Sequence, residues 1–159
     1  METAYLLLGS NVGDRKANFL LAITYLSGLG TIIMTSSLFE TKAWGKTDQP
    51  DFLNQVVAVE TFLTPQKLLH GILEIERQMG RQRISHWGPR LIDIDILLIG
   101  DRIVKTPELT VPHSHLVFRR FALAPLAEIA GGVIHPETGI SIQNHLDTCP
   151  DTLTVNRIA

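Results

Sequence analysis

From Ala4 to Ile99 the chain reads strand, helix, strand, strand, helix, strand. That order predicts an α+β fold, a ferredoxin-like βαββαβ core with additional C-terminal helix and strand elements. Three observations carry the prediction. Short apolar or β-branched runs alternate with stretches of helical period. Turn residues stand between them. The length, 159 residues, is that of a single domain, 1–159, without repeat or linker, able to bury roughly 70% of its unfolded surface.

Ala4 to Leu8 is an apolar run closed by Gly9-Ser10-Asn11, a buried strand feeding a turn. Asp14 offers a cap for the following helix, whose apolar residues include Ala17, Leu20, Leu21 and Leu26. Thr31 to Thr41 reads as a strand, Lys42 to Pro50 as a loop, and Leu53 to Phe62 as a strand pairing with the previous one. The next helix is the clearest element. Thr64 suits the N-cap, Pro65 the first turn and Gly80 the C-terminal cap, with Leu68, Ile72, Ile75 and Met79 as core face. Arg81 to Arg90 is a polar loop and Leu91 to Ile99 a strand. Gly100-Asp101 turns the chain, Ile103-Val104 is a short return strand, and Pro107 to Pro112 is extended. Arg119 to Ala130 is a helix that Pro125 kinks or delays. The last thirty residues carry weak signals.

Composition narrows the classes. The chain is 45% hydrophobic and 19% charged, with net charge −2, so it is globular and no global field draws it to nucleic acid or anionic lipid. One cysteine, Cys149, excludes an internal disulfide framework and fits a reducing compartment. Phe19 to Phe39 carries no charge, but its glycines, serines and threonines read as helix tail, turn and strand rather than a membrane span. Met1-Glu2-Thr3 lacks a signal peptide's basic start. The expectation is a cytoplasmic protein with neither nucleic-acid nor membrane partner. It is expected to be a monomer, because no long apolar face is left over.

The strongest chemical signal is Leu91-Ile92-Asp93-Ile94-Asp95-Ile96-Leu97-Leu98. Alternation puts Asp93 and Asp95 on one face and Ile92, Ile94, Ile96 and Leu98 on the other. The two aspartate Cα atoms should lie about 6.6 Å apart at a rise of about 3.3 Å per residue. Strands tolerate Asp poorly, and two carboxylates on one face repel unless a cation sits between them. Hard oxygen donors at this spacing suit Mg²⁺ carrying phosphates; an edge strand with one wet face is the plainer alternative. Just before it, Arg77, Arg81, Arg83 and Arg90 stand with no acidic residue among them. Arginine grips phosphate oxygens bidentately. A carboxylate pair beside such a loop describes a polyphosphate site.

Other features say less. Gly9 to Asp14 matches neither phosphate-loop pattern and reads as a tight turn. His113-Ser114-His115 lacks the further ligands of a zinc site, and His113 alone is better suited to touch phosphate. Phe52 near Asn54 is the kind of pairing that stacks and reads a planar heterocycle. Trp44, Phe52, Trp87 and Phe121 serve equally as core.

Residues Trp87 to Leu97, W-G-P-R-L-I-D-I-D-I-L, resemble the signature of the 6-hydroxymethyl-7,8-dihydropterin pyrophosphokinases of folate biosynthesis. Leu8 to Asp14, Gln49 to Asn54, Glu76 to Arg83, Val111 to His113 and Arg119 to Leu126 are similar to other segments of that family, in its order and over nearly the whole chain. The resemblance implies an ATP- and Mg²⁺-dependent enzyme that passes pyrophosphate from ATP to the pterin hydroxymethyl group and releases AMP. It implies that Asp93 and Asp95 hold two Mg²⁺ ions and that Arg81 and Arg90 act on the transferring group. It places Arg81, Arg83, Trp87, Arg90, Thr110, His113 and Arg119 at ATP, with Arg120 adjoining the last of these. Thr41, Ala43, Trp44, Phe52, Asn54 and Phe121 fall to the pterin, whose ring Phe52 and Phe121 would sandwich. Trp87 would sit on the loop that closes over both substrates. Many relatives have Tyr where Phe52 stands; Phe keeps the stack and loses the hydroxyl. Lys42-Ala43-Trp44 and Ser114 also depart from the family's pattern.

Two other classes use the same residues. A Mg²⁺-dependent nucleotidyl transferase or nuclease would need a larger basic surface. A non-catalytic nucleotide-binding module would release no AMP.

Overall fold

A computed structural model of the chain describes residues 1–42, 51–80 and 91–158. Its main sheet grows from β1 (Glu2–Ser10), which has a partner on each side: β4 (Phe52–Thr61), with Leu6 opposite Val57, and β5 (Asp93–Ile99), with Leu6 opposite Ile96. Such a central strand is buried on both faces, which is why it reads as an unbroken apolar run. β2 (Thr31–Thr35) and β3 (Phe39–Thr41) both pair with β4, and the sheet runs β5-β1-β4-β3-β8, with β8 at Val155–Arg157. All of these pairings are antiparallel.

The single strand expected over Thr31–Thr41 is therefore two strands. Ser36 explains the break: its N–H donates to Val56 O at 2.8 Å, while its hydroxyl, not a backbone carbonyl, accepts the Val56 N–H at 2.9 Å. A side chain that replaces a ladder carbonyl ends the regular ladder.

Helices cover both faces. α1 (Arg15–Leu26) and α2 (Pro65–Gln78) pack on one. Asp14 caps α1 by accepting the Ala17 N–H at 3.1 Å, and Thr64 caps α2 by accepting that of Lys67 at 3.3 Å. Gly80 follows α2 with φ +80°, a conformation glycine adopts without Cβ strain. Leu68, Ile72, Ile75 and Met79 are buried as expected. In α1 the buried residues are Phe19, Ala22 and Leu26, whereas Leu20 and Leu21 face solvent. That helix is apolar on both sides, so composition alone did not select the inward face.

The opposite face carries α3 (Arg120–Ala130), which continues through Pro125, and α4 (Ile142–Asp147). Between them and β5, the short strands β6 (Val104–Lys105) and β7 (Thr110–Val111) pair with each other rather than returning to the main sheet. A bulge between Tyr5 and Leu6 alters the expected alternation in β5: Leu98 joins Leu97 in the α3-side core, while Ile92, Ile94 and Ile96 stay with α1 and α2. Among the described residues, no helix is long and apolar enough to cross a membrane.

Candidate active site

Strand register gathers the predicted residues at one end of the α3-side face. Asp95 lies opposite Leu7, and Leu7 belongs to the α3-side core, so the aspartates project to that face. Asp93 is opposite Gly9, and Gly9 is in turn opposite Asn54. These three residues form one row across three strands. Directly opposed residues share a face, so Asp93 and Asn54 look into the same space, with only a glycine between them. Phe52 is two residues before Asn54, on the same face, and opposite Thr41. The Asn54 amide donates to Thr41 Oγ1 at 3.3 Å, and both residues are buried.

Helix α3 forms the other wall. It packs against β4 and β3, and Phe121 in its first turn rests against the α3-side core. The Arg119 guanidinium stands over the Phe121 ring, 5.6 Å from its centre. Arg120 is engaged elsewhere: its guanidinium donates to Asp151 O at 3.1 Å and to Cys149 O at 3.4 Å. Of the two adjacent arginines, Arg119 is therefore the one that faces the site.

His113 follows the cis Val111–Pro112 bond, and its N–H donates to Leu97 O at 3.0 Å, fastening it beside β5. Its Nδ1 accepts the His115 N–H at 3.2 Å, which leaves the neutral ring's proton on Nε2. Burial lowers the His113 pKa; Asp95 opposes that shift, while Arg119 and His115 add to it. Asp95, His113 and Arg119 thus share one electrostatic environment, with mixed charges meeting at the aspartate strand. Thr110 is exposed on β7, and Ser114 is exposed as well.

Asp93 and Asp95 are both half-buried. Two hard oxygen donors on one face of a strand fit Mg²⁺, which normally takes one or two carboxylates and completes its shell with water and phosphate. Gly9 and Ser10, expected in a turn, are the last residues of β1, and the Asp14 carboxylate caps the start of α1 by accepting the Ala17 N–H.

Several residues that hold the site in place were not singled out from sequence. Glu76 of α2 is buried, and its Oε2 accepts the N–H of Ile94, between the two aspartates, at 2.8 Å. The Asn18 amide donates to Ser10 Oγ, Val12 O and Leu91 O at 3.2, 2.9 and 3.2 Å, tying the 9–14 turn to the residues leading into β5. Gly9 leaves the floor open. Glu76 and Asn18 have no local signature for these roles, since Ile94 and Leu91 lie 18 and 73 residues away, and Gly9 read only as a turn residue. Ala43, Trp44, Arg81, Arg83, Trp87 and Arg90 lie outside the described residues.

A family model described as 7,8-dihydro-6-hydroxymethylpterin-pyrophosphokinase matches residues 5–131, a span that includes every described site residue above. The 2-amino-4-hydroxy-6-hydroxymethyldihydropteridine pyrophosphokinase of Aquifex aeolicus is 48% identical over 136 residues, covering 86% of this chain and 85% of that one. Its namesake from Haemophilus influenzae is 40% identical over 142 residues, covering 88% and 89%. The fold is similar to that of Plasmodium falciparum HPPK-DHPS, crystallised as the wild type with pteroate. The TM-score is 0.72 at 20% identity, over 92% of this chain and 42% of that longer one.

Proposed function

The chain belongs to the 7,8-dihydro-6-hydroxymethylpterin-pyrophosphokinase family, and from that premise we propose how its residues divide the work. The enzyme transfers the pyrophosphoryl group of ATP to the hydroxymethyl oxygen of 6-hydroxymethyl-7,8-dihydropterin in folate biosynthesis. A bond forms between that oxygen and the β-phosphorus, the bond from the β-phosphorus to the α,β-bridging oxygen breaks, AMP leaves and the hydroxyl proton is released.

The observation that carries the assignment of roles is the row Asp93–Gly9–Asn54. It sets the carboxylate pair beside the polar floor of an aromatic-walled slot, so a phosphate chain and a heterocycle can meet there. Asn54 and Thr41 read the pterin edge, and Phe52 and Phe121 stack on its faces. Asp93 and Asp95 hold Mg²⁺, two ions in our reading. When bound, Mg²⁺ supplies charge neutralisation on the phosphate oxygens and acidifies the acceptor hydroxyl. The His113 Nε2–H donates to a phosphate oxygen, and Arg119 adds a charge-assisted bond. Thr110 lies on the nucleotide side. Arg81, Arg83, Trp87 and Arg90, with Ala43 and Trp44 on the pterin side, take the roles that their motif positions imply. Phosphoryl-type transfer needs little covalent chemistry from protein, so this positioning supplies most of the acceleration.

The strand order β5-β1-β4-β2, with α1 and α2 on one face, supports reading the core as ferredoxin-like, within one domain. A monomeric, cytoplasmic enzyme is the accompanying expectation.

A single-turnover assay with ATP, Mg²⁺ and the pterin, following AMP, tests the reading beside Asp93→Ala and Asp95→Ala. AMP should form only with pterin and disappear in both variants. ADP would indicate an ordinary kinase, pterin-independent AMP a hydrolase, and ATP binding without turnover a non-catalytic module.

A further inference from the structure

Residues 149–158 lie beyond the span the family model matches, yet they contact the start of α3, which carries Phe121, and the β3 strand, which carries Thr41. We propose that this segment is a strap for the slot and that Asp151 is its positioning residue, setting Phe121 and Arg119 through the start of α3. The inference rests on the pterin assignment above.

Helix α3 begins without a cap of its own, since Arg119 at its N-cap makes no side-chain hydrogen bond. Asp151 supplies one from a distance. Its Oδ2 accepts the Arg120 N–H at 3.0 Å, and its Oδ1 accepts the Leu153 N–H at 2.9 Å. Arg120 answers by donating from Nε to Asp151 O at 3.1 Å and from Nη2 to Cys149 O at 3.4 Å. A carboxylate at a helix N-terminus satisfies an otherwise orphaned N–H and complements the dipole. Here the clasped residue, Arg120, lies between Arg119 and Phe121, so the clasp sets the first turn that carries both side chains.

Four residues further on, the same segment becomes β8. Val155 pairs with Thr41 and Arg157 with Phe39, and the Ile158 N–H donates to Leu38 O at 2.9 Å. Arg157 Nε donates to Ser37 Oγ at 3.0 Å and stands 3.5 Å from Glu128 of α3. The Glu128 carboxylate also accepts the Ser37 N–H at 2.5 Å. One stretch of backbone thus links the Phe121 wall to the Thr41 edge, and the clasp and the ladder fix the span between them.

The test compares steady-state kinetics and melting temperature for the full-length wild type, Asp151→Ala, Asp151→Asn and Arg120→Ala. Asp147→Ala serves as a control, an exposed α4 residue paired with Gln143. Asp151→Ala should raise the pterin KM about tenfold, the size expected of one lost cap, with kcat at saturation little changed. Asp151→Asn, which keeps an acceptor, should recover most of that loss. Arg120→Ala, which puts a strong helix former at its position, should raise KM in the same direction, while Asp147→Ala leaves it alone. If Arg120→Ala keeps the wild-type pterin KM, the strap is overturned, whether or not Asp151→Ala folds. It is equally overturned if Asp151→Ala melts lower with KM unchanged. A wild type that gives no pterin-dependent AMP rejects the functional reading instead, so the two failures are distinct.

Discussion

Glu76, only 5% exposed, accepts the backbone N–H of Ile94 through Oε2 at 2.8 Å. The bond joins α2 to the residue between Asp93 and Asp95, so a buried carboxylate on one element fixes the strand that presents two others. Removing it leaves a buried N–H unsatisfied, at a cost of about 1–3 kcal/mol. Glu76→Ala should lose that much in urea unfolding and need more Mg²⁺ for half-maximal activity. Glu76→Gln keeps an acceptor and should lose less. An alanine variant of wild-type stability and Mg²⁺ dependence would show that the contact positions nothing.

Gly9 gives the slot its floor. A Cβ there would lie 3.2 Å from Asn54 Oδ1, so the Asn54 amide would have to give way and its bond to Thr41 would be disturbed. Gly9→Ala should raise the pterin KM by roughly five- to tenfold, about one hydrogen bond's worth, while ATP binding is unchanged. Alanine within a strand is otherwise favourable by about 0.5–1 kcal/mol, which offsets the disturbed bond, so the melting temperature should change little. Intact stability with an unchanged pterin KM would place the pterin elsewhere.

What could be read from the sequence was what local chemistry determines. Thr64, Pro65 and Gly80 bound α2 because caps act within a turn or two. Asp93 and Asp95 declared themselves because carboxylates in an apolar strand need a reason. Glu76 and Asn18 escaped notice because the partners that matter, Ile94 and Leu91, lie 18 and 73 residues away, and Gly9 read only as a turn residue because its useful property is an absent side chain. The β5 bulge moved Leu98 across the sheet, a slip that no period-2 pattern announces. β8 is three residues long and exists because β3 offers it an edge. Asp151 caps a helix that begins 31 residues earlier, beyond the reach of any capping motif.

The turn before α4 makes stability depend on pH. Nδ1 of His135 accepts the N–H groups of Glu137 and Thr138 at 3.1 and 3.3 Å, and the His145 ring lies 5.5 Å from that of His135. Burial lowers the His135 pKa, His145 adds to the shift and Glu137 opposes it; burial also lowers that of His145. The unfolded chain therefore binds protons more readily than the folded one. This contribution is fully present above the ordinary histidine value of 6.5 and is lost as pH falls through the folded values. Melting temperature should drop below that pH, and His135→Gln should flatten the decline while melting lower at neutral pH. A variant with an undiminished slope would assign the dependence to other groups.

Arg15 supports the Thr41–Phe52 pair from the opposite face of the sheet. Its Nη1 donates to Glu40 Oε2 at 2.6 Å and to Asp51 O at 2.8 Å. Glu40 immediately precedes Thr41 and Asp51 immediately precedes Phe52, and Thr41 and Phe52 form the last pair of the β3–β4 ladder. One guanidinium therefore holds that terminal pair from behind. The Arg15 and Glu40 side chains are 29% and 31% exposed, so the ion pair itself is worth no more than about 1 kcal/mol. Its larger consequence is register, because a frayed end pair spreads the distance between Thr41 and Phe52. Arg15→Ala should cost about 1 kcal/mol in unfolding and raise the pterin KM several-fold, leaving the ATP KM unchanged. Glu40→Gln should do the same to a lesser degree, since the bond to Asp51 O survives. Combined, the two substitutions should be less than additive in pterin KM, as residues in direct contact are. Strict additivity, or an equal rise in ATP KM, would mean that Arg15 acts through general stability rather than through the Thr41–Phe52 pair.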